Sequence, residues 1–409
     1  MEPFIGVIVG VLALIVGGLA VWGLLRFLHA RQFRERGWEF ARDPGEAGVF
    51  GLNRPPFGRG LGRRVREQVT GQVDGVPFVA VWYTSDTDRR DDFAVVLPLP
   101  QSLPGLVVGT PPVLPAGARG EGLPAPAGLV AQADDPAWGS RALAAIGEPL
   151  SALARRGSAA LSVDGSHLVG LGCARDADAL AATVPLVAAA AAALAAPELA
   201  ASGPPVPPEM SFTDRPDWTY RSRDDAMLDY VRAHRGGYDH EARDVVFRSD
   251  PELSFVALRH EWKTDRQVTQ RNADGSTSTR TVTDHHREDL CAFQLGFPFV
   301  DLSLNKSFDW GRERVRFESE DFNRAFSVRC ADGKFASDVF HPRQLEFVQR
   351  MRPGAFEIVG DRVYVNHDGR LETVESWWEF LRGFFGRVPE FVWKNLGVRP
   401  PALMLRWEG

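Results

Sequence analysis

The chain has 409 residues, a net charge of −6 and a pI near 5.9, which leaves room for two or three domains and an ample core. Arginine dominates the 47 basic residues, Lys263, Lys306, Lys334 and Lys394 being the only lysines. The acidic balance gives a polyanion no overall attraction, so nucleic acid is not an expected partner. Cys173, Cys291 and Cys330 are too few and too far apart for a disulfide framework or a zinc site, and they read as small residues in a reducing compartment.

Residues 4–25 (FIGVIVGVLALIVGGLAVWGLL) carry no charge. Twenty-two residues at about 1.5 Å each span roughly 33 Å, enough for a bilayer core of about 30 Å. The preceding Met-Glu-Pro is not the basic start of a signal peptide, and the apolar run is longer than such a peptide needs. An uncleaved transmembrane helix is therefore expected. Arg26, Arg31, Arg34 and Arg36 follow the span and no Lys or Arg precedes it. The positive-inside rule then places the N-terminus outside and the rest in the cytoplasm. Gly6 and Gly10 form a GxxxG pair that could support dimerisation, although glycine is common in such helices.

Beyond the anchor, the expected fold class is α+β: two related units, each an antiparallel sheet with packed helices. The first unit covers residues 30–196 and the second 218–396. Residues 111–128 read as a loop, 197–217 as a Pro/Ala-rich linker and 397–409 as a C-terminal tail. The units align in two blocks: ADDPAWGSRAL (133–143) matches ADGKFASDVF (331–340) around Asp135 and Asp332, at a displacement of 197. Residues 148–170 lie on 343–365, with Gly165 over Gly360. Two units this long imply tandem duplication rather than a solenoid.

Each unit begins with strands, at 75–84 and 93–99 in the first and at 253–262 and 290–297 in the second. Two short helices follow, then a hairpin (159–170; 355–366), then a closing helix. In the second unit that helix carries a stripe of Val374, Trp377, Trp378, Leu381, Phe384, Phe385 and Val388. Its polar face bears Glu372, Glu375 and Glu379 against Arg382 and Arg387, the wrong balance for lying on anionic lipid. The first unit's counterpart, residues 179–196, is uncharged, but its alanines supply little apolar area. It is expected to be a core helix rather than a second span.

Four places invite a chemical reading. In FESEDFNR, Glu318, Glu320 and Asp321 are weak catalytic candidates, for acid/base work or an oxygen-ligand metal site. The preferred reading is structural: Ser319 caps a short helix whose first turn holds Glu320 and Asp321. A displacement of 197 sets Glu121 opposite Glu318. HEWKT (260–264) lacks the second histidine of a zinc-peptidase helix, and the adjacent His285 and His286 point to opposite faces of a strand, so no metal or other cofactor is expected. GRGLGRR (58–64) lacks the buried strand a phosphate loop needs and reads as a turn. Residues 263–289 alternate Thr, Val and Arg around NADGS, with five bases and five acids. They predict a polar two-stranded ribbon on which Arg271, Asp274 and Arg280 are possible partner contacts.

ARQFRERGWEFARDPG, PFGRGLGRRVREQVTGQVDGVPFVAVWYT and FESEDFNRAFSVRCADGKFASDVFHPRQLEF together resemble a family of actinobacterial single-pass membrane proteins of uncharacterised function. The resemblance is carried by Gly37 and Trp38, by Pro56, Phe57, Gly58 and Gly60, and by residues 318–324. It implies the anchored topology and a shared fold, and no chemistry. With no nucleophile–base pair evident, the expected function is a non-catalytic binding or scaffold module, partnered by the membrane and by another protein or a second copy. The alternatives are an enzyme or metal-dependent site at 318–321, or a lipid-binding protein.

Overall fold

The computed structural model describes residues 2–45, 49, 51–87, 91–110, 120–126, 128–156, 160–201, 203–205, 209–271, 276–306 and 314–400. They fall into two compact units, Met1–Pro216 and Asp217–Gly409. The expected α+β class holds, with antiparallel sheets in both.

The first unit opens with the helix α1 (Glu2–Arg34), longer at both ends than the apolar run. The strands β1 (Glu39–Arg42), β2 (Arg64–Val73), β3 (Val76–Thr84), β4 (Phe93–Pro98), β5 (Leu106–Gly109), β6 (Glu121–Leu123) and β7 (Val130–Ala133) follow. Next come the helices α2 (Pro136–Ala145) and α3 (Gly147–Arg155), the hairpin β8 (Ala160–Asp164) and β9 (His167–Cys173), and α4 (Ala177–Leu194). The strand order is β1-β2-β3-β4-β9-β8-β5-β7-β6.

After the two-residue strand β10 (Met210–Ser211), the second unit has β11 (Trp218–Arg223), β12 (Tyr238–Arg248), β13 (Leu253–Arg271), β14 (Thr277–Leu295) and β15 (Leu302–Lys306). Helix α5 (Glu320–Ala325), strand β16 (Phe326–Cys330), helices α6 (Gly333–Val339) and α7 (Pro342–Met351), strands β17 (Phe356–Val359) and β18 (Arg362–Asn366), and helices α8 (Leu371–Phe385) and α9 (Glu390–Asn395) complete it. Its strands run β11-β12-β13-β14-β18-β17-β15-β16. In both units four meandering strands meet the late hairpin, beyond which lie β5, β7 and β6 in the first unit and β15 and β16 in the second.

Local signals explain the shared pieces. Asp135 caps α2, accepting from the backbone N–H groups of Ala137 and Trp138 at 3.0 Å. Asp332 caps α6 by accepting from Phe335 N at 3.0 Å. Each satisfies donors the first helical turn leaves open. Gly165 and Gly360 turn the two hairpins at φ +56° and +61°, a region glycine enters without the penalty a Cβ would bring.

Helices cover one face of each sheet. In the first unit Trp138, Leu150, Leu180, Val184 and Val187 pack on strand residues such as Val95, Leu106 and Leu168. Segment 49–61 covers the opposite face through Val49, Leu52 and Phe57. In the second unit Val374, Trp377, Leu381, Phe384, Phe385 and Val388 are all buried. Trp378 is half-buried and donates from Nε1 to the Leu253 carbonyl at 3.0 Å. Burial pushes the Cys173 thiol up to about 11 and raises that of Cys291 too, which leaves both poor nucleophiles.

Several expectations need correction. The stretch 111–128 is not all loop: Glu121–Leu123 forms β6 and pairs with β7, while residues 111–119 and 127 lie outside the described residues. The stretch 197–217 is not a free linker where it is described. Leu199 is buried and its carbonyl accepts from Trp138 Nε1 at 3.0 Å, and Phe212 is buried against Arg63. Of the tail, residues 401–409 lie outside the described residues.

Among the described residues α4 is the helix long and apolar enough to cross a membrane by length and composition. In the fold its Leu180, Val184, Val187, Ala190 and Leu194 are fully buried against the sheet and α3, the place of a core helix. The side chains of α1 are described from residue 14. Those of Leu14, Val16, Leu19, Val21, Trp22, Leu24, Leu25 and Phe27 are exposed.

The far end of α1 is bound into the first unit. Phe33 is fully buried and stacks on Phe40 at 5.4 Å, with Phe93 edge-on at 6.1 Å. Glu67 on β2 accepts from His29 at 3.0 Å and from Arg175 at 2.7 Å. Arg36 donates to the Ala177 carbonyl at 3.0 Å and pairs with Asp178.

Candidate functional site

The acidic stretch is a helix start. Ser319 is the N-cap of α5 and accepts from Phe322 N at 3.3 Å. Glu318, Glu320 and Asp321 are all exposed, and Asp321 pairs with Arg324 at 3.2 Å, one turn on. Phe322 is buried among Phe317, Phe326 and Phe340, so the helix exists to seat that ring. Displacement 197 sets Glu121–Leu123, the strand β6, opposite residues 318–320, so the units differ here. Ser319→Ala is expected to cost about 0.5–2 kcal/mol in denaturant unfolding. Glu320→Gln with Asp321→Asn should be milder and should spare any binding or turnover.

The Gly58–Gly62 segment is a turn, with Gly58, Gly60 and Gly62 at φ between +63° and +66°. Arg63 is buried there and donates to the carbonyls of Gly60 and Ser211 at 2.9 and 2.8 Å. Among the described residues no group of three or more His, Cys, Asp or Glu side chains is arranged to hold a metal ion.

The ribbon is longer than the sequence pattern indicates. β13 and β14 pair residue for residue from Leu253↔Leu295 to Arg271↔Thr277. The neighbouring strands stop early: β12 reaches only Tyr238↔Lys263, and β18 covers only the β14 segment 290–294. From Thr264↔Asp284 outward the two arms therefore pair only with each other among the described residues. The outer edge of β14 from Thr277 to Glu288 is likewise open. Arg280 is exposed on that edge strand opposite Val268. Asp274 and the Arg271 side chain lie outside the described residues.

At the ribbon's root, alternation along β13 sets His260 and Trp262 on one face, while β12 brings His240 and β14 brings His286 beside them. The four rings form a ladder. Centroids are 5.1 Å apart for His240–His260, 4.7 Å for His260–Trp262 and 5.1 Å for Trp262–His286, with interplanar angles of 18° to 22°. His260 is fully buried. Its Nδ1 lies 3.1 Å from Glu288 Oε1 and its Nε2 lies 2.9 Å from His240 Nδ1. One neutral tautomer satisfies both contacts: Nδ1–H donates to the carboxylate and Nε2 accepts from His240. Arg235 donates to the same carboxylate at 2.9 Å, and Thr264 Oγ1 meets His286 Nε2 at 2.7 Å.

Burial lowers the His260 pKa below its ordinary value, and the Glu288 hydrogen bond offsets only part of that. The unfolded chain therefore takes up the proton first, near pH 6.5. The stability that neutral His260 contributes is fully present above that pH and is lost as the pH falls below it. Burial also lowers the pKa of His367 on the same unit, with the same sign. The melting temperature is expected to be lower at pH 5.5 than at pH 7.5, with the difference reduced in His260→Asn.

A hollow of about 400 Å³ lies at the same root. Asp239, Glu241 and Glu261 face Arg243, Lys263 and Arg287 there, and the Lys263–Asp239 pair at 2.9 Å is an example of the balance. Arg243 likewise pairs with Glu241, and the mixed charges make this a solvated face rather than a selective one. The ladder and the open edge together define a polar, strand-presenting projection.

No protein-family model matches the chain, and no curated protein matches it. A structural comparison aligns 44% of this chain with 96% of the crystal structure of the mycobacterial trehalose monomycolate transport factor A, TtfA, at 13% identity and a TM-score of 0.33. Similarity at that level carries no argument about what this chain does.

Proposed function

We propose that this protein is a membrane-anchored, non-catalytic binding module that captures an extended partner segment along the open edge of β14. The observation that carries the reading is that edge: residues 277–288 expose strand hydrogen-bonding groups that no described strand pairs. Edges of this kind take on added strands, and natural proteins normally cover or shorten them. The alternating Thr, Arg and Asp side chains keep it soluble while leaving the backbone accessible.

The anchor is the uncharged run in α1, with the units on the cytoplasmic side according to the arginines that follow it. The reading is supported by apolar side chains along α1 that no part of the fold covers. It agrees with the resemblance to actinobacterial single-pass proteins. The two units derive from a tandem duplication. Support comes from the parallel strand orders, the capping pair Asp135 and Asp332, and the turn pair Gly165 and Gly360. The ribbon is an elaboration of the second copy.

Deleting residues 265–284 tests the binding role, since these residues pair only within the ribbon. The expected result is an unchanged unfolding midpoint together with loss of the partner recovered by in-cell crosslinking. An unchanged crosslinking pattern would overturn the assignment, and loss of a self-crosslink alone would identify the partner as a second copy.

A further inference from the structure

The helix-free face of the second sheet carries a separate concavity. It is a hollow of about 740 Å³ between the loop at 231–235 and strands β14, β15, β16, β17 and β18. Its wall presents Arg232, Arg235, Lys306 and Arg329, and its lining includes one carboxylate, Glu357. Glu288, just behind, is bonded to Arg235 at 2.9 and 3.1 Å. Among the described residues four cations thus meet two carboxylates, on a chain whose net charge is −6. Neutral donors from Ser303, Asn305 and Asn366 line the same space.

Two of these cations, Arg232 and Lys306, keep charge available in the hollow. Arg232 has a backbone φ of +58°, a left-handed conformation that non-glycine residues seldom adopt. That conformation lays its guanidinium over the Tyr364 ring at 4.3 Å. Its ion pair with Glu357 is long, 3.7 Å, and both side chains are about half exposed, at 42% and 58%. The planar N–H fork is therefore oriented by stacking and only loosely engaged. Lys306 is exposed at the end of β15, and among the described residues no carboxylate pairs with it.

We infer that this hollow binds a phosphate group, Arg232 supplying the bidentate fork and Lys306 the opposing point charge. Spaced cations with hydroxyl and amide donors between them suit a tetrahedral polyanion better than a single carboxylate. The group is carried either by a soluble phosphoester or by a lipid headgroup. The inference does not rest on the ribbon's binding role, since residues 265–284 are absent from the hollow's lining.

The full chain in neutral detergent, titrated calorimetrically with sodium pyrophosphate and with short-chain phosphatidic acid, tests it. Saturable binding of pyrophosphate at least as tight as that of the lipid assigns a soluble source. Tighter binding of the phosphatidic acid assigns a headgroup. In both cases Arg232→Glu and Lys306→Glu should each weaken binding roughly tenfold or more, with unchanged melting curves, while Arg280→Glu on the ribbon leaves it unaltered. Absence of binding by both probes, or equal weakening by Arg280→Glu, would overturn the site. The milder Lys306→Gln, expected to fall between wild type and the reversal, keeps the test open if a reversal variant misfolds.

Discussion

Phe384→Ala is expected to destabilise the second unit by about 3–5 kcal/mol, much of what holds a domain together. The ring is fully buried and meets Phe385 at 5.3 Å, Phe340 and Phe356 at 5.7 Å and Phe380 at 6.0 Å. Truncation removes the hub of an aromatic cluster joining α6, α8 and β17, and those neighbours cannot all collapse into one gap. Denaturant unfolding followed by tryptophan fluorescence should show an early transition, since Trp377 lies in the same cluster. A midpoint within experimental error of wild type would contradict this account of the core.

Glu67→Ala should cost about 3 kcal/mol and loosen α1 from the first sheet. Glu67 is 5% exposed. Burial alone would raise its pKa, but hydrogen bonds from His29 and Arg175 outweigh that and hold the carboxyl below its usual range. A depressed carboxylate contributes stability above its unfolded value, about 4.5, and loses it as the pH falls through the folded one. Removing the carboxylate leaves Arg175 stacked 3.5 Å over Trp82 and paired with the exposed Asp91. Limited trypsin digestion should then cut after Arg31, Arg34 or Arg36 faster than in wild type, and the stability difference should vanish near pH 3. Equal cleavage rates would show that the aromatic contacts of Phe33 suffice.

The sequence made some of this visible because the signals were local. Asp135 and Asp332 each stand before a helix they cap, and Ser319 before α5. Gly165 and Gly360 each sit where a two-strand reversal needs φ above zero. The stripe on α8 identified its buried face because helical spacing alone decides which side chains align. The strand β6 was hidden, since three residues around a glycine carry no periodic pattern.

The ring ladder was hidden for a different reason. His240, His260, Trp262 and His286 come from three strands and converge only once the register is set. A slip of one residue would send one arm's rings to the opposite face. One signal was available: a ribbon turning symmetrically about Asp274 pairs Trp262 with His286, and His260 sits two residues before Trp262. The hollow at Arg232 and Lys306 was not legible, because its walls are separated by more than seventy residues and one depends on a left-handed arginine.

The way α1 ends has a mechanical consequence. Its 33 residues, roughly 50 Å at helical rise, run without a break into a socket of Phe33, Phe40, Phe93 and the Glu67 ion pairs. No flexible joint separates the exposed helix from the sheet. The helix acts as a shaft keyed into a hub, so twist or tilt imposed along it reaches β2 and β4 as rotation of the whole first unit.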